Sequence, residues 1–153
     1  TYWMRKCDYL SGRNILTRPS FYRANRRFKR LRYQFGFDIE YSTRIGKGLY
    51  FGHWGGVVIH PSVTIGKNCN ISHQVTLGVD CNKGAGAIPA VGDKVYIGPG
   101  SKIFGKITLG DGCAIGANSV VNRNVPPGVT AAGAPAKVVS QNDSSSYVTN
   151  TVP

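Results

Sequence analysis

The chain's 153 residues are a length for one domain that can bury a core of its own. No stretch approaches the ~20 apolar residues of a membrane span, and the start at Thr1 carries neither an initiator Met nor a signal-peptide pattern. A formal net charge of +12 suggests a nucleic-acid partner until it is located: ten Lys and Arg fall in residues 1–36 against Asp8 alone, so the rest of the chain is nearly balanced.

Residues 1–36 therefore form a basic leader. Within it Ser20 to Gln34 reads as a helix, with Ser20 as N-cap after Pro19 and Phe21, Phe28, Leu31 and Phe35 as its apolar side. Such a cluster of arginines either attracts phosphate groups, of a nucleotide, a nucleic acid or a membrane surface, or is a solvated helix face.

From residue 37 a six-residue rhythm takes over. Ile39, Ile45 and Phe51 begin it; Ile59, Ile65, Ile71 and Leu77 resume it two residues late; Val91, Ile97, Ile103, Leu109, Ile115 and Val121 complete it. Gly follows the apolar residue at Gly92, Gly98, Gly110 and Gly116, where it is expected to supply backbone geometry that other residues resist. Four places after each apolar residue of the last run comes a small or β-branched one: Val95, Ser101, Ile107, Cys113, Ser119 and Val125. Neither a helix (period 3.6) nor a flat strand (period 2) gives a period of six. One short strand plus a turn does, and three such sides close a triangular coil. The repeats predict about four stacked coils over residues 37–139, paired at about 4.8 Å.

Two insertions interrupt the rhythm. One lies in Gly52-His53-Trp54-Gly55-Gly56, the other is the Gly-rich loop Val79–Ala90. Insertions in a solenoid are extruded to its surface and often build the site. Val125-Pro126-Pro127-Gly128 stops the repeat, and the polar residues 140–153 are expected to be disordered. Cys7, Cys69, Cys81 and Cys113 form no CxxC pair and read as free thiols in a reducing cytoplasm, with Cys69 and Cys113 in the inward slot.

The register itself carries a chemical statement. His53 lies two places after Phe51 and His73 two places after Ile71, so the two imidazoles are expected to stack on adjacent coils. The same column continues through Pro99 and Ala117. A polar end thus leads into a smooth strip suited to a thioester arm, with Lys137 on the last coil placed to meet a phosphate. Imidazole, titrating near neutral pH, suits the work of a base toward a hydroxyl. His60 reads as structural.

The hexads, the stretch Gly48-Leu-Tyr-Phe-Gly-His53-Trp-Gly-Gly-Val-Val, the segment Gln74-Val-Thr-Leu-Gly78 and the ending Val125-Pro-Pro-Gly-Val-Thr-Ala-Ala-Gly-Ala-Pro-Ala-Lys137 resemble the serine O-acetyltransferase branch of the hexapeptide-repeat acyltransferases. The likeness covers about residues 36–139. It implies an all-β, left-handed parallel β-helix with a short N-terminal helical segment, and a homotrimer with active sites between subunits. It implies acetyl-CoA as donor, no metal, no nucleic-acid partner and a cytoplasmic location. It also implies His53 as the base with Asp38 orienting it, while the register puts Pro99, Ala117 and Lys137 along the donor, with Gly78 as a further donor contact.

Departures from the family pattern bear on the acceptor. Gly52 stands where the family has Asp before the histidine, and Ala87-Ile88-Pro89 stands where it has the Arg-His-Pro that contacts serine. A zwitterionic amino acid needs charged partners, which Ala87 and Ile88 do not supply. The expected acceptor is therefore a hydroxyl of a sugar in surface polysaccharide synthesis, lying on Trp54 near His73, with L-serine as the alternative. Two other classes remain. Three histidines (His53, His60, His73) invite a zinc carbonic anhydrase of the same fold, and the aromatic-interleaved arginines of the leader a nucleic-acid binder or scaffold.

Overall fold

The computed structural model describes residues 2–13, 15–83 and 86–153. Two helices open the chain, α1 (Tyr2–Ser11) and α2 (Arg18–Phe35). They pack on each other as a hairpin, burying Met4 and Cys7 of α1 and Ala24 of α2. The predicted N-cap at Ser20 is corrected: Thr17 holds the cap position, without a side-chain cap hydrogen bond, and Pro19 sits in the first turn. A proline there has no N–H to leave unpaired and brings a helical φ, so the helix starts ahead of the serine. Gly36, at φ 63°, ends α2 in a left-handed turn that donates back to the carbonyls of Arg32 and Tyr33.

The hexads form a left-handed parallel β-helix of about five turns, against about four expected. Its strands, numbered in chain order, fall on three faces, in strict rotation from β1 to β13. One face carries β1 (Phe37–Ile39), β4 (Val57–Ile59), β7 (Thr76–Gly78), β10 (Lys102–Phe104) and β13 (Val120–Val121). The second carries β2 (Arg44–Ile45), β5 (Thr64–Ile65), β8 (Ala90–Val91) and β11 (Thr108–Leu109). On the third lie β3 (Tyr50–Phe51), β6 (Asn70–Ile71), β9 (Tyr96–Ile97) and β12 (Ala114–Ile115), extended by β14 (Thr130–Gly133) and the antiparallel β15 (Ala136–Ser140).

The predicted inward column packs as the core. Ile71, Leu77, Ile97, Ile103, Leu109 and Ile115 are wholly buried, and Val95, Ser101, Cys113 and Ser119 fill the small slots. Ile45 and Phe51 of the first coil are only half-buried, because there the core ends on the helical hairpin. Solenoid ends expose unpaired backbone and apolar side chains, and the hairpin covers part of both, with Arg5 donating to the Ile45 and Gly46 carbonyls. All four cysteines are free. Burial pushes the Cys69 thiol up to about 11 and that of Cys113 up to about 12, which leaves both as inert packing groups.

Two expectations change. Residues 140–153, expected to be disordered, lie back against the coils. Ser144 donates its N–H to the Gly112 carbonyl, Tyr147 stacks on Tyr96 with ring centres 4.3 Å apart, and Val152 pairs with Asn68 through both its N–H and its carbonyl. The segment's polar groups find their partners on the coil surface, which composition cannot reveal.

The hexad glycines also act differently from expectation. Gly92, Gly98, Gly110 and Gly116 are not among the residues of positive φ. A Cβ at Gly98 would instead meet the Ile115 carbonyl oxygen at 2.7 Å and the Ala117 nitrogen at 2.8 Å. These glycines serve the close approach of one coil to the next.

Gly66 occupies the same slot, where a Cβ would lie 2.5 Å from the Gly92 carbonyl. Gly66→Ala is expected to destabilise the fold by about 1–3 kcal/mol. Gly12→Ala, with nothing within 4 Å of the new methyl, is expected to melt like the parent. Equal melting temperatures for all three would refute the close-approach explanation.

Candidate active site

The corner that joins the third face to the first carries the predicted column. It consists of the turns after β3, β6, β9 and β12, which hold His53, His73, Pro99 and Ala117 in order. Backbone bonds fix the stack: the Gly100 N–H donates to the His73 carbonyl at 3.0 Å, and the Asn118 N–H to the Pro99 carbonyl at 2.8 Å. At the top the His53 and His73 rings meet edge to face, centres 5.7 Å apart at 84°. The juxtaposition expected from the register is therefore present.

The insertion shapes this end. Gly55 and Gly56 take φ of 108° and 65°, and the Gly55 carbonyl accepts from the Gln74 N–H at 2.8 Å. These extra residues let the turn bulge out while the coils below stay in register. The same turn leans on α2: a Cβ at Gly36 would touch Gly55 and Gly56 at 3.3 Å, and the Trp54 ring lies 6.1 Å from that of Phe35. Trp54 remains 72% exposed and His53 is exposed, so both face outward from the chain. His73 is half-buried, and its Nδ1 is fully buried with no hydrogen-bond partner. A buried ring nitrogen without a partner is uncommon in a finished site and marks a place for a further polar group.

Several predicted residues lie elsewhere. Asp38, on β1, does not meet His53; its carboxylate is held by Arg32 of α2, which also donates to Glu40 at 2.9 Å. The reason is local: Arg32 is one turn from the end of α2 and half-buried over the first coil, beside both carboxylates. Ile88 belongs to the loop between β7 and β8, which sits at the corner joining the first face to the second. It packs toward the core, and Ala87 is buried, so neither meets the histidines of its own chain. Gly78 ends β7, at the far edge of the face that His73 begins. Lys137 is exposed on β15 opposite Ala132, on the rung where the column ends. His60 accepts the Ser62 N–H on its Nδ1 at 3.2 Å, a turn-forming contact in keeping with its structural reading.

Pro99 is half-buried and Ala117 exposed, giving a strip of small, uncharged residues below the imidazoles. Among the described residues no three His, Cys, Asp or Glu side chains gather as a metal-ligand group. Sequence reasoning missed Arg32, Phe35, Gln74 and Lys102, whose ammonium donates to the Gln74 carbonyl at 2.6 Å. Only the position of Phe35 on the apolar side of the helix hinted at a contact with the site.

The bacterial transferase hexapeptide family (six repeats) matches residues 89–123. The serine acetyltransferase of Helicobacter pylori strain J99 is 38% identical over 129 residues, covering 84% of this chain and 75% of the relative. The chain belongs to the hexapeptide-repeat acyltransferases, in their serine O-acetyltransferase branch. The serine acetyltransferase of Buchnera aphidicola from Acyrthosiphon pisum is 43% identical over 119 residues, covering 77% of this chain. A crystal structure of the Brucella abortus serine acetyltransferase in complex with coenzyme A superposes with a TM-score of 0.78 at 31% identity over 92% of this chain. This hexapeptide-repeat chain spans 43% of the Buchnera relative's length and 54% of the Brucella chain.

Proposed function

We propose that the chain is an acetyl-CoA-dependent O-acetyltransferase with His53 as base and L-serine as acceptor. The observation that carries it is the His53–His73 pair at the head of a strip of small residues. In the reaction the imidazole of His53 takes the acceptor's hydroxyl proton as the oxygen attacks the thioester carbonyl. The carbon–sulfur bond then breaks, and the thiol leaves with the proton that His53 returns. Pro99 and Ala117 give the donor's pantetheine arm a smooth bed, and Lys137 offers a charge at the far end for a phosphate. The His73 ring, edge to face with that of His53, is placed to support the acceptor or the base.

Serine replaces the sugar favoured by the sequence because the relatives at 38–43% identity are named serine acetyltransferases. The sugar remains as a second reading on one observation: Ala87 and Ile88 lie inward and offer no charge. The outward-facing histidines and the distance of Ile88 along the chain from them suit a homotrimer whose neighbours complete each site. Free thiols suit a reducing compartment.

A thiol-release assay with acetyl-CoA decides the acceptor. L-Serine is expected to turn over with kcat/KM of about 10⁴ M⁻¹s⁻¹ or better, well above any sugar or nucleotide sugar. Preference for a sugar would replace serine, and no release with any hydroxyl would remove the transferase reading.

His53→Ala is expected to lower kcat by roughly 10²–10⁴ while leaving the melting temperature unchanged. Asp38→Asn separates two roles. Orientation of His53 requires the Arg32 pair to open and predicts a smaller loss of kcat at constant stability. A purely structural Asp38 predicts a lower melting temperature with kcat intact.

Ala117→Phe adds bulk at an exposed position of the column. The KM for acetyl-CoA is expected to rise at least tenfold, a discrimination of about 1.4 kcal/mol, with the melting curve unchanged. A variant that melts early yet binds donor normally would make Ala117 a residue of the turn alone.

A further inference from the structure

We infer that the helical hairpin of α1 and α2 is a docking surface for an anionic phospholipid bilayer. The inference is independent of the acceptor. Between the two helices lies a cleft of about 810 Å³ lined by Trp3, Lys6, Arg23, Arg26, Arg27 and Arg30, with no acidic residue on its walls. The four arginines are exposed, and among the described residues the ion pairs are those of Arg32 with Asp38 and Glu40. Lys6 and Arg27 instead lie over the Trp3 ring, 5.3 and 5.9 Å from its centre. So many cations without carboxylates repel one another, and phosphate groups are the complement that relieves them.

A second observation chooses among sources of phosphate. The turn joining the helices holds Ile15 and Leu16, 70% and 85% exposed, and the outer side of α2 carries Tyr22 and Tyr33, 67% and 87% exposed. By helical spacing Tyr22, Arg26, Arg30 and Tyr33 share one stripe. Phe21 and Phe28 of the same helix turn inward instead, onto Tyr41 and the core. Leu and Ile gain nothing from a nucleic acid's backbone or from a soluble anion. At a bilayer they enter the acyl boundary, tyrosine lies at the headgroup level and arginine meets lipid phosphate. An alternation of basic, aromatic and bare aliphatic residues fits that interface. The active-site corner keeps its own geometry, since the cleft uses none of His53, His73, Pro99 or Ala117.

Sedimentation of the intact protein with vesicles tests this at 0.15 M salt, using phosphatidylcholine alone and with about one-third phosphatidylglycerol. Binding to the anionic vesicles is expected, at least tenfold tighter than to the neutral ones. It should weaken at least tenfold in Ile15→Asp/Leu16→Asp and, separately, in Arg23→Glu/Arg26→Glu/Arg30→Glu. Melting curves of both variants should match the parent, since all five side chains are exposed. Should either variant misfold, quenching of Trp3 fluorescence by brominated lipid in a Trp54→Phe background supplies the same answer. Failure to bind anionic vesicles overturns the inference. So does binding indifferent to Ile15 and Leu16, which would be bare attraction of charge, and so does a single-stranded oligonucleotide held as tightly through the same arginines.

Discussion

One ladder of hydrogen bonds between successive coils determines where everything else in this molecule stands. On the third face the N–H groups of Tyr50, Asn70, Tyr96 and Ala114 donate to the carbonyls of Cys69, Val95, Cys113 and Val129 on the next coil, at 2.9–3.0 Å. At the start of the turn leading to that face, Gly46, Gly66, Gly92 and Gly110 donate likewise to Ile65, Val91, Leu109 and Val125. Each coil can bury its apolar side only by adopting its neighbour's register, so a residue's place in the hexad becomes its place in space. The close approach this requires is why glycine recurs at the corners.

A site follows from that ladder with little further design. Residues two places beyond the inward one of the third face fall in a line down one corner, and a change of residue type along the line becomes a change of chemistry along that edge. Two imidazoles lie at one end and a proline and an alanine below them. The two-residue insertion supplies local freedom, since Gly55 and Gly56 take up the extra chain without shifting β3 against β6. Helix α2 holds this bulge from the side through Phe35 and Gly36, linking the cap of the solenoid to the corner that carries the two histidines.

What could be read from the sequence was whatever the period controls. The inward residues, the third-face column and the pairing of His53 with His73 are all consequences of counting by six. What could not be read depends on partners brought together by the fold. Asp38 meets Arg32 because a helix end happens to lie beside β1, and no spacing rule encodes that. The polar segment around Ser144 and Tyr147 has a disorder-like composition, yet Lys94, Tyr96 and Gly112 offer it bonds and a stacking surface. Helix α1 escaped because it has little apolar periodicity of its own and buries only Met4 and Cys7. The hexad glycines were recognised for the wrong reason, since a sequence reveals a missing side chain but not the carbonyl of the next coil that excludes it.

The claim that the His53–Ala117 corner is where a donor lies can be tested without turnover. Backbone amide shifts recorded on titration with coenzyme A should change along one edge of the solenoid, at His73, Gly98, Gly100, Ala117 and Asn118, and then at Lys137. Shifts gathered instead at the corner of Asp93 and Asp111, or confined to the arginines of α2, would contradict the assignment of the groove.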